Sequence, residues 1–403
     1  MTDLEIRPIT ADDDFEAQLD LGQRAFGIYS ERQRQSFLRN ARRQAGRGLF
    51  LGAFLGGRPA GAAMIYHHEQ YWLGRPVPCA GVASVKVAPE YRGRGTGRAL
   101  MTELLALMAD RGYLVSALYP ATTPIYRSLG WELAGAKHQF SVPAHALRAL
   151  VTPDLGGSLP EPPVRRASPD DGALVNEVIG RSYRLGRHAG PITWDADTQR
   201  DWLADPALYS YLAGDPAEGF AAYRWGHGGT EELFVEQVAA VTPGALRALW
   251  SVIASNASVT RTVTGWTGPS DPFWWLTRER DATISRRSMW MLRVVDAPAA
   301  IAARGFPPGV SVSVPLQLRD QLRPANTGPW ELTVSNGTAS LRPNGGVVPT
   351  DPLTLGPRGL AALYAGIPVG SLRLSGLAEG GDPDADAALD GAFAATPFMV
   401  DDF

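Results

Sequence analysis

Cysteine is almost absent from the 403-residue chain: Cys79 stands alone, which excludes an internal disulfide and any CxxC metal site. That usage fits a reducing compartment. Long apolar runs are missing too, and the start, MTDLEIRPITADDDFEAQLD, is acidic and amphipathic where a secretory leader is basic and then apolar. A cytoplasmic protein with no membrane contact is the expectation. Positive charge is not in excess, because the formal net charge is −3 and the sequence pI is about 6.1. A general nucleic-acid binder is therefore excluded, and any anion site must be local. Histidine is scarce, at six residues. His67 and His68 are adjacent on a predicted strand and so point to opposite faces, while His138, His145, His188 and His227 lack zinc spacing and are read as surface or loop residues. No metal is expected. No internal repeat with a period of about 20–50 residues stands out.

What remains is an ordinary globular composition, 45% hydrophobic and 20% charged, in a chain too long for one ordinary core. The first 150 residues alternate strand and helix patterns. Leu4–Pro8 reads as a strand, Ala11–Phe26 as a helix started by Thr10 and Asp12, and about Ser30–Arg43 as a second helix. Gly56-Gly57-Arg58-Pro59 separates two strands as a hairpin turn. A strand at Pro78–Val87 then runs into a helix, Gly97–Asp110, whose Leu100, Met101, Leu104, Leu105 and Met108 form one stripe. Tyr113–Leu118 (strand), Pro124–Leu129 (short helix) and Trp131–Val142 (strand) complete the block.

Glycine and proline density at Asp154–Val164 marks a linker. The next block, 151–295, echoes the first in its order of elements. The last, 296–403, has short strands at Val310–Leu318, Trp330–Ser335 and Thr338–Arg342, then helical stretches at Pro357–Ala365 and Pro383–Ala395. The fold class expected is α/β with mixed sheets in the first two blocks, followed by an α+β block. Phe273-Trp274-Trp275, bounded by prolines, is read as core or interface rather than an aromatic cage. Arg278, Arg280, Arg286 and Arg287 are read as a solvated face.

Chemistry concentrates in one stretch, VASVKVAPEYRGRGTGRAL over residues 82–100. A buried strand enters a turn of arginines and glycines that opens directly into a helix. Small residues there let backbone N–H groups approach a pyrophosphate, and Arg92, Arg94 and Arg98 add positive charge around it. The spacing is not the dinucleotide fingerprint GxGxxG followed by an acidic residue, and the lysine and hydroxyl of a P-loop are missing.

Arg92 to Gly97 does match R-x-x-G-x-G after a strand ending in Val-x-Pro, and so resembles the acetyl-coenzyme A site of GCN5-related N-acetyltransferases. Three blocks, the element Thr123-Pro124-Ile125-Tyr126-Arg127-Ser128-Leu129-Gly130-Trp131 and an aromatic last residue, Phe403, narrow this to the Eis (enhanced intracellular survival) family. The likeness covers essentially the whole chain. It implies two tandem acetyltransferase-like domains, 1–150 and 151–295, then a sterol-carrier-like domain, 296–403. The second domain is expected to be inactive, because its corresponding turn reads Val241-Thr242-Pro243-Gly244-Ala245-Leu246 and lacks the motif.

By that resemblance acetyl-coenzyme A lies against Val85, Lys86 and Val87, on Arg92, Gly93, Arg94, Gly95, Thr96, Gly97 and Arg98, and beside Ala121 and Thr122. Tyr126 is implied as general acid, protonated at neutral pH because a tyrosine titrates near about 10. The α-carboxylate of Phe403, carried in by the C-terminal tail, is implied as general base. A free α-carboxylate titrates at about 3.5, so burial has to strengthen it. The apolar run Thr396-Pro397-Phe398-Met399-Val400 favours docking of that tail over fraying.

Acceptor contacts carry over to Phe26, Tyr29, Glu31, Ser84, Tyr119, Asp401 and Asp402, the two aspartates also standing as alternative bases. Neutralising a lysine-like amine at pH 7.4 costs about 4 kcal/mol, which favours small polyamines such as aminoglycosides over isolated lysines. Without a cysteine in the motif, direct attack in a ternary complex is expected rather than an acyl-enzyme. Phe26–Glu31 has no aspartate where the antibiotic-modifying members carry one, and Ser84 replaces an aromatic, so the acceptor is left open. A protein lysine acceptor, and a non-enzymatic acyl-coenzyme A or lipid binder, are the alternatives. The resemblance also implies a homohexamer.

Overall fold

The computed structural model describes residues 4–147, 161–226, 231–277, 280–346 and 351–403. Most of the expected linker lies outside them, as do His227 and Arg278. Local side-chain chemistry sets the first elements. β1 (Leu4–Pro8) is followed by a turn in which Asp13 accepts from Thr10 N at 2.8 Å and grips the Arg7 guanidinium at 2.7 and 2.8 Å. That turn occupies the residues expected to start a helix. α1 (Phe15–Phe26) begins later, capped by Asp14 rather than Thr10 or Asp12, with Asp14 Oδ1 accepting from Glu16 N and Ala17 N. α2 (Glu31–Gly46) starts at a reciprocal capping box between Ser30 and Gln33.

β2 (Phe50–Leu55) and β3 (Arg58–Trp72) are joined by Gly56-Gly57, at φ +56° and +76°, the left-handed pair that a two-residue hairpin turn requires. β4 (Arg75–Val87) returns through Leu73-Gly74, again left-handed, which makes β3 and β4 a longer hairpin than the hydrophobic pattern indicates. α3 (Thr96–Asp110), β5 (Val115–Leu118), α4 (Thr123–Arg127) and β6 (Glu132–Pro143) complete the first unit. The second contains β7 (Val164–Arg166), α5 (Gly172–Leu185), β8 (Ile192–Trp194), α6 (Ala196–Leu203), β9 (Tyr209–Ala213), β10 (Gly219–Trp225), β11 (Glu232–Ala240), α7 (Pro243–Ala254), β12 (Thr262–Thr267), α8 (Phe273–Leu276) and β13 (Thr283–Val294).

The two units share one 13-stranded sheet, ordered β1-β2-β3-β4-β5-β13-β6-β12-β11-β10-β9-β7, with β8 attached to β3. In each unit one pair is parallel, β4 with β5 and β11 with β12. The last strands are exchanged. β13 lies against β5, β6 lies against β12, and β6 and β13 pair with each other in the middle. Sequence patterning gave no sign of this crossing.

The third unit holds α9 (Ala297–Ala303), β14 (Val312–Leu318), β15 (Gly328–Ser335), β16 (Thr338–Pro343), β17 (Leu353–Leu355), α10 (Pro357–Tyr364), α11 (Val369–Leu374), β18 (Ala378–Glu379) and α12 (Pro383–Phe393). Its five-stranded sheet runs β16-β15-β14-β17-β18. One apolar cluster joins it to the large sheet, taking in Trp72, Trp290, Tyr364, Phe393 and Met399. Of the aromatic run, Phe273 is buried, Trp274 packs against the same core and Trp275 is exposed. His188 lies in the loop between α5 and β8, where its ring packs against Tyr183 and Phe398 at 5.9 and 5.1 Å and burial pushes its pKa down to about 4. Arg286 and Arg287 are exposed as expected.

Arg293 on β13 ties the units together. It is fully buried and meets the buried Asp320 of the third unit at 2.6 and 2.8 Å, while its Nε donates to Leu129 O of the first unit at 3.1 Å. Removing one member of such a pair strands a charge in the interior. Asp320→Ala is expected to lower unfolding stability by about 3–5 kcal/mol in urea titration. The double change Arg293→Met, Asp320→Leu should recover most of that loss.

Candidate active site

The site begins where β4 and β5 part. Their parallel pairing covers Cys79 to Gly81 against Val115 to Ala117. Beyond Gly81, β4 has no partner on its β5 side among the described residues. On the β3 side, Ala62 faces Lys86 and Met64 faces Ala83, so Ser84 and Val85 together oppose Ala63. This is a β-bulge, and Ser84 takes the left-handed conformation at φ +52°. A bulge frees backbone groups from the ladder, here beside the open splay. The expected contacts Val85 and Val87 therefore present backbone to it. The Lys86 side chain does not: it is buried, donates from Nζ to Gln18 O at 2.8 Å, and lies 4.2 Å from the Phe37 ring centre.

Past Val87 the chain turns through Pro89–Tyr91 and Arg92 into α3. Gly93 and Gly95 are at φ +74° and +81° with open space around them, so backbone conformation rather than crowding selects glycine there. Arg92, Arg94 and Arg98 are exposed around this turn. Gly97 is glycine for the other reason. A Cβ built on it would lie 3.2 Å from Ile125, so α3 approaches α4 closely. Arg98 also donates to Ser128 Oγ at 2.9 Å. The anion cradle and the helix carrying Tyr126 are thus locked side by side. Tyr126 is buried, and burial raises its hydroxyl above the usual tyrosine value, so it stays protonated at neutral pH. Ala121 and Thr122 are exposed between β5 and α4.

The corresponding turn of the second unit lacks these features. Thr242 Oγ1 accepts from Ala245 N at 3.3 Å and donates to Glu218 at 2.9 Å, which places a carboxylate at the start of α7 where the first unit has arginines.

The C-terminal tail enters the first unit. Phe398 N donates to Ala189 O at 3.0 Å, Met399 N donates to Ala136 O at 3.3 Å, and Phe398 bridges β6 at Ala136. Tyr119 Oη donates to Asp401 O at 2.8 Å, Trp194 Nε1 donates to Asp401 Oδ1 at 2.9 Å, and Lys137 Nζ meets Asp402 at 2.7 Å. The Phe403 ring lies 4.9 Å from His68, 5.7 Å from Tyr119 and 6.4 Å from Trp194 between ring centres. A Cβ built on Gly81 would be 3.0 Å from it, so the last residue reaches the root of the β4–β5 splay. His68 is fully buried beneath it, and burial takes its pKa down to about 3, leaving it neutral. Burial also raises Asp401 to about 6, against the bond from Trp194.

A cleft of about 760 Å³ opens beside this tail. Phe403, Asp401, Asp402, Tyr66, Trp194 and Lys137 are among the residues that line it. One side wall carries ion pairs between α2 and the segment at and just after α6: Arg32 with Asp205, and Arg39 and Arg43 with Asp201; Arg47 with Asp195 and Asp197 continues the row outside the cleft. The structure brings Tyr119, Asp401, Asp402 and Phe403 together. Phe26, Tyr29, Glu31 and Ser84 are not among the lining residues of this cleft. Trp194, Lys137 and the arginine row were not singled out by motif reading, and His68 was weighed only as half of a metal pair. The spacing Arg32, Arg39, Arg43 on one face of α2 was the available signal.

Residues 5–134 match the acetyltransferase (GNAT) domain family, residues 187–294 match a second acetyltransferase (GNAT) family, and residues 297–400 match the sterol carrier protein domain. A GCN5-related N-acetyltransferase of Kribbella flavida is 41% identical and superposes with a TM-score of 0.91 over 100% of this chain and 99% of its own. The N-acetyltransferase Eis of Mycobacterium tuberculosis is 30% identical over 277 residues. The chain belongs to the Eis-like GCN5-related N-acetyltransferases. The alignment with Eis spans 66% of each chain. An uncharacterized N-acetyltransferase of Streptomyces avermitilis is 29% identical over 420 residues, covering 96% of each. This family fold implies acetyl-coenzyme A as cosubstrate, and the glycine cradle with its exposed arginines fits a pyrophosphate.

Burial lowers Lys86 from 10.5 to about 7. Between those values the unfolded chain holds the proton more readily, so the folded state gains stability as pH rises from 7 towards 10. In urea unfolding at pH 7 and pH 9.5, the change in stability of the wild type is expected to exceed that of Lys86→Met by roughly 3 kcal/mol.

Proposed function

We propose that the protein transfers acetyl from acetyl-coenzyme A to a primary amine of a small polyamine such as an aminoglycoside, by direct attack in a ternary complex. The observation that carries this reading is the seat of Phe403 at the root of the β4–β5 splay, its ring 5.7 Å from that of Tyr119 in the segment that leads from β5 into the helix of Tyr126. The cosubstrate supplies the acetyl thioester. The bulge at Ser84 and Val85 offers backbone N–H groups to the thioester oxygen as charge develops there. The Phe403 carboxylate takes a proton from the acceptor ammonium, the freed amine adds to the thioester carbon, and as the C–S bond breaks Tyr126 protonates the departing thiolate and recovers the second proton that the new amide nitrogen gives up.

Direct attack is supported by the state of Cys79, which is fully buried and whose thiol burial raises far above neutrality. No thiolate forms there to carry an acyl group. A small acceptor is supported by the cleft, whose volume of about 760 Å³ suits a drug-sized ligand rather than a protein surface. Among its lining residues, Asp401, Asp402 and the terminal carboxylate of Phe403 supply negative charge for ammonium groups. No helix of the described residues is long and apolar enough to cross a membrane, in keeping with a cytoplasmic enzyme. A hexamer is part of the same proposal.

Incubating the protein with acetyl-coenzyme A and a panel of aminoglycosides, polyamines and lysine peptides, while following thiol release and acceptor mass, tests the reading. Acetylated aminoglycoside or polyamine is the expected product, and turnover of lysine peptides alone would move the assignment to a protein acceptor. Tyr126→Phe should lower kcat by about 10²-fold. A two-residue extension after Phe403 should abolish turnover while leaving acetyl-coenzyme A binding intact. Binding of that cosubstrate or a lipid without turnover of any amine would favour a carrier. Light scattering gives the assembly size.

A further inference from the structure

Of 38 basic residues only two are lysine, Lys86 and Lys137. Both are buried at this site, and every other formal cation on a side chain is an arginine. Lys86 braces the cofactor strand against α1. Lys137, on β6, projects under the tail: its ammonium lies 3.7 Å from the Trp266 ring centre and 5.9 Å from that of Tyr119, and it meets Asp402 at 2.7 Å. The Lys137 side chain is 2% exposed and Asp402 is 69% exposed, so the tail delivers a solvated carboxylate onto a buried cation. The charged groups that act on Lys137 are Asp402, then Asp401 and Glu236. Two of these three belong to the tail.

Trp194 makes the second attachment. It comes from β8, a strand of the second unit that pairs with β3 of the first through His68, Glu69 and Gln70. Its indole donates to Asp401, and its ring meets His68 edge-on at 4.5 Å between ring centres, beneath Phe403. Asp401, Asp402 and Phe403 are thus held from three sides, by β6, by β8 and by Tyr119 at the end of β5. A chain end with no such contacts would fray and its carboxylate would sample many positions.

We propose that Lys137 and Trp194 are positioning residues that fix the last three residues of the chain, so that Phe403 stays at the β4–β5 splay. The inference rests on the reading of the Phe403 carboxylate as base. It gives the second, motif-less unit a part in the reaction through one indole. It also makes tail docking and the charge on Lys137 reciprocal: the docked tail holds the proton on Lys137, and the charged lysine holds the tail.

Two lysines permit a direct test, because selective 13C labelling at lysine Cε yields two signals, assigned with Lys86→Met and Lys137→Met. Asp402→Ala, a change at an exposed side chain, is expected to move the titration of the Lys137 signal to lower pH and leave Lys86 in place. Hydrogen exchange should show the amides of Phe398 and Met399, which donate to Ala189 and Ala136, losing protection in Lys137→Met and Trp194→Phe. With an amine that the wild type acetylates, both variants should lose kcat by about tenfold or more with the acetyl-coenzyme A KM within about twofold. A Lys137 signal indifferent to Asp402→Ala, or tail amides that stay protected in both variants, overturns the inference. Should the extension after Phe403 leave kcat intact, the base assignment falls, while exchange and titration still decide whether Lys137 and Trp194 hold the tail.

Discussion

Everything at the site depends on the pairing of β6 with β13. Because each unit's last strand is exchanged, the centre of the large sheet belongs to both units at once. β6 carries Lys137 and the Ala136 bridge to the tail, while β13 carries Trp290, against which Gly135 and Gly190 pack closely, and Arg293, which reaches the third unit. An apolar cluster continuous from Trp72 to Met399 follows from that pairing. Separating the units would break long strands in the sheet's interior rather than an interface. A tail fixed to β6 is therefore fixed relative to β4, the splay and Tyr126 together.

The cofactor half of the site was legible in the sequence because its chemistry is local. Left-handed glycines, exposed arginines and a helix start all fall within residues 92–98, and their backbone conformations follow from residue type. Tyr126 was legible through its own short motif. The strands and helices of the three blocks were also readable, since each follows a period of two or 3.6. Where the helix start was misplaced, the turn after β1 had already claimed the residue: Thr10 bonds Asp13, which also grips Arg7, so α1 begins later with Asp14 as its cap.

The acceptor half was legible only in part: the family resemblance named Tyr119, Asp401, Asp402 and Phe403 but not what holds them, and the reason is sequence separation. Asp401 meets Trp194 across 207 residues and Tyr119 across 282. Arg43 meets Asp201 across 158 residues. No periodicity reports such partners. The strand exchange was equally silent, because β6 and β13 would read the same whichever neighbour they joined. Once the sheet is known, the arginine spacing on α2 acquires meaning as one side of a cleft wall.

The distribution of cations bears on how the site is held. Arginine keeps its charge when buried and donates in a fixed fork, and it serves here wherever two elements must be tied: Arg293 to Asp320, and Arg304 within Trp72, Phe306, Tyr364 and Phe393, where it donates to the carbonyls of Tyr364 and Phe393. Lysine is a compact point charge whose proton responds to its surroundings. Burial lowers both lysines, and only Lys137 has nearby carboxylates that oppose the shift, led by Asp402. A guanidinium there would hold its charge whether or not the tail were present. An ammonium is costly to bury alone and becomes tolerable when the tail arrives, so the choice of lysine couples the charge to the docked state. That coupling ties the chain's last residues to the first unit, even though they belong to the third.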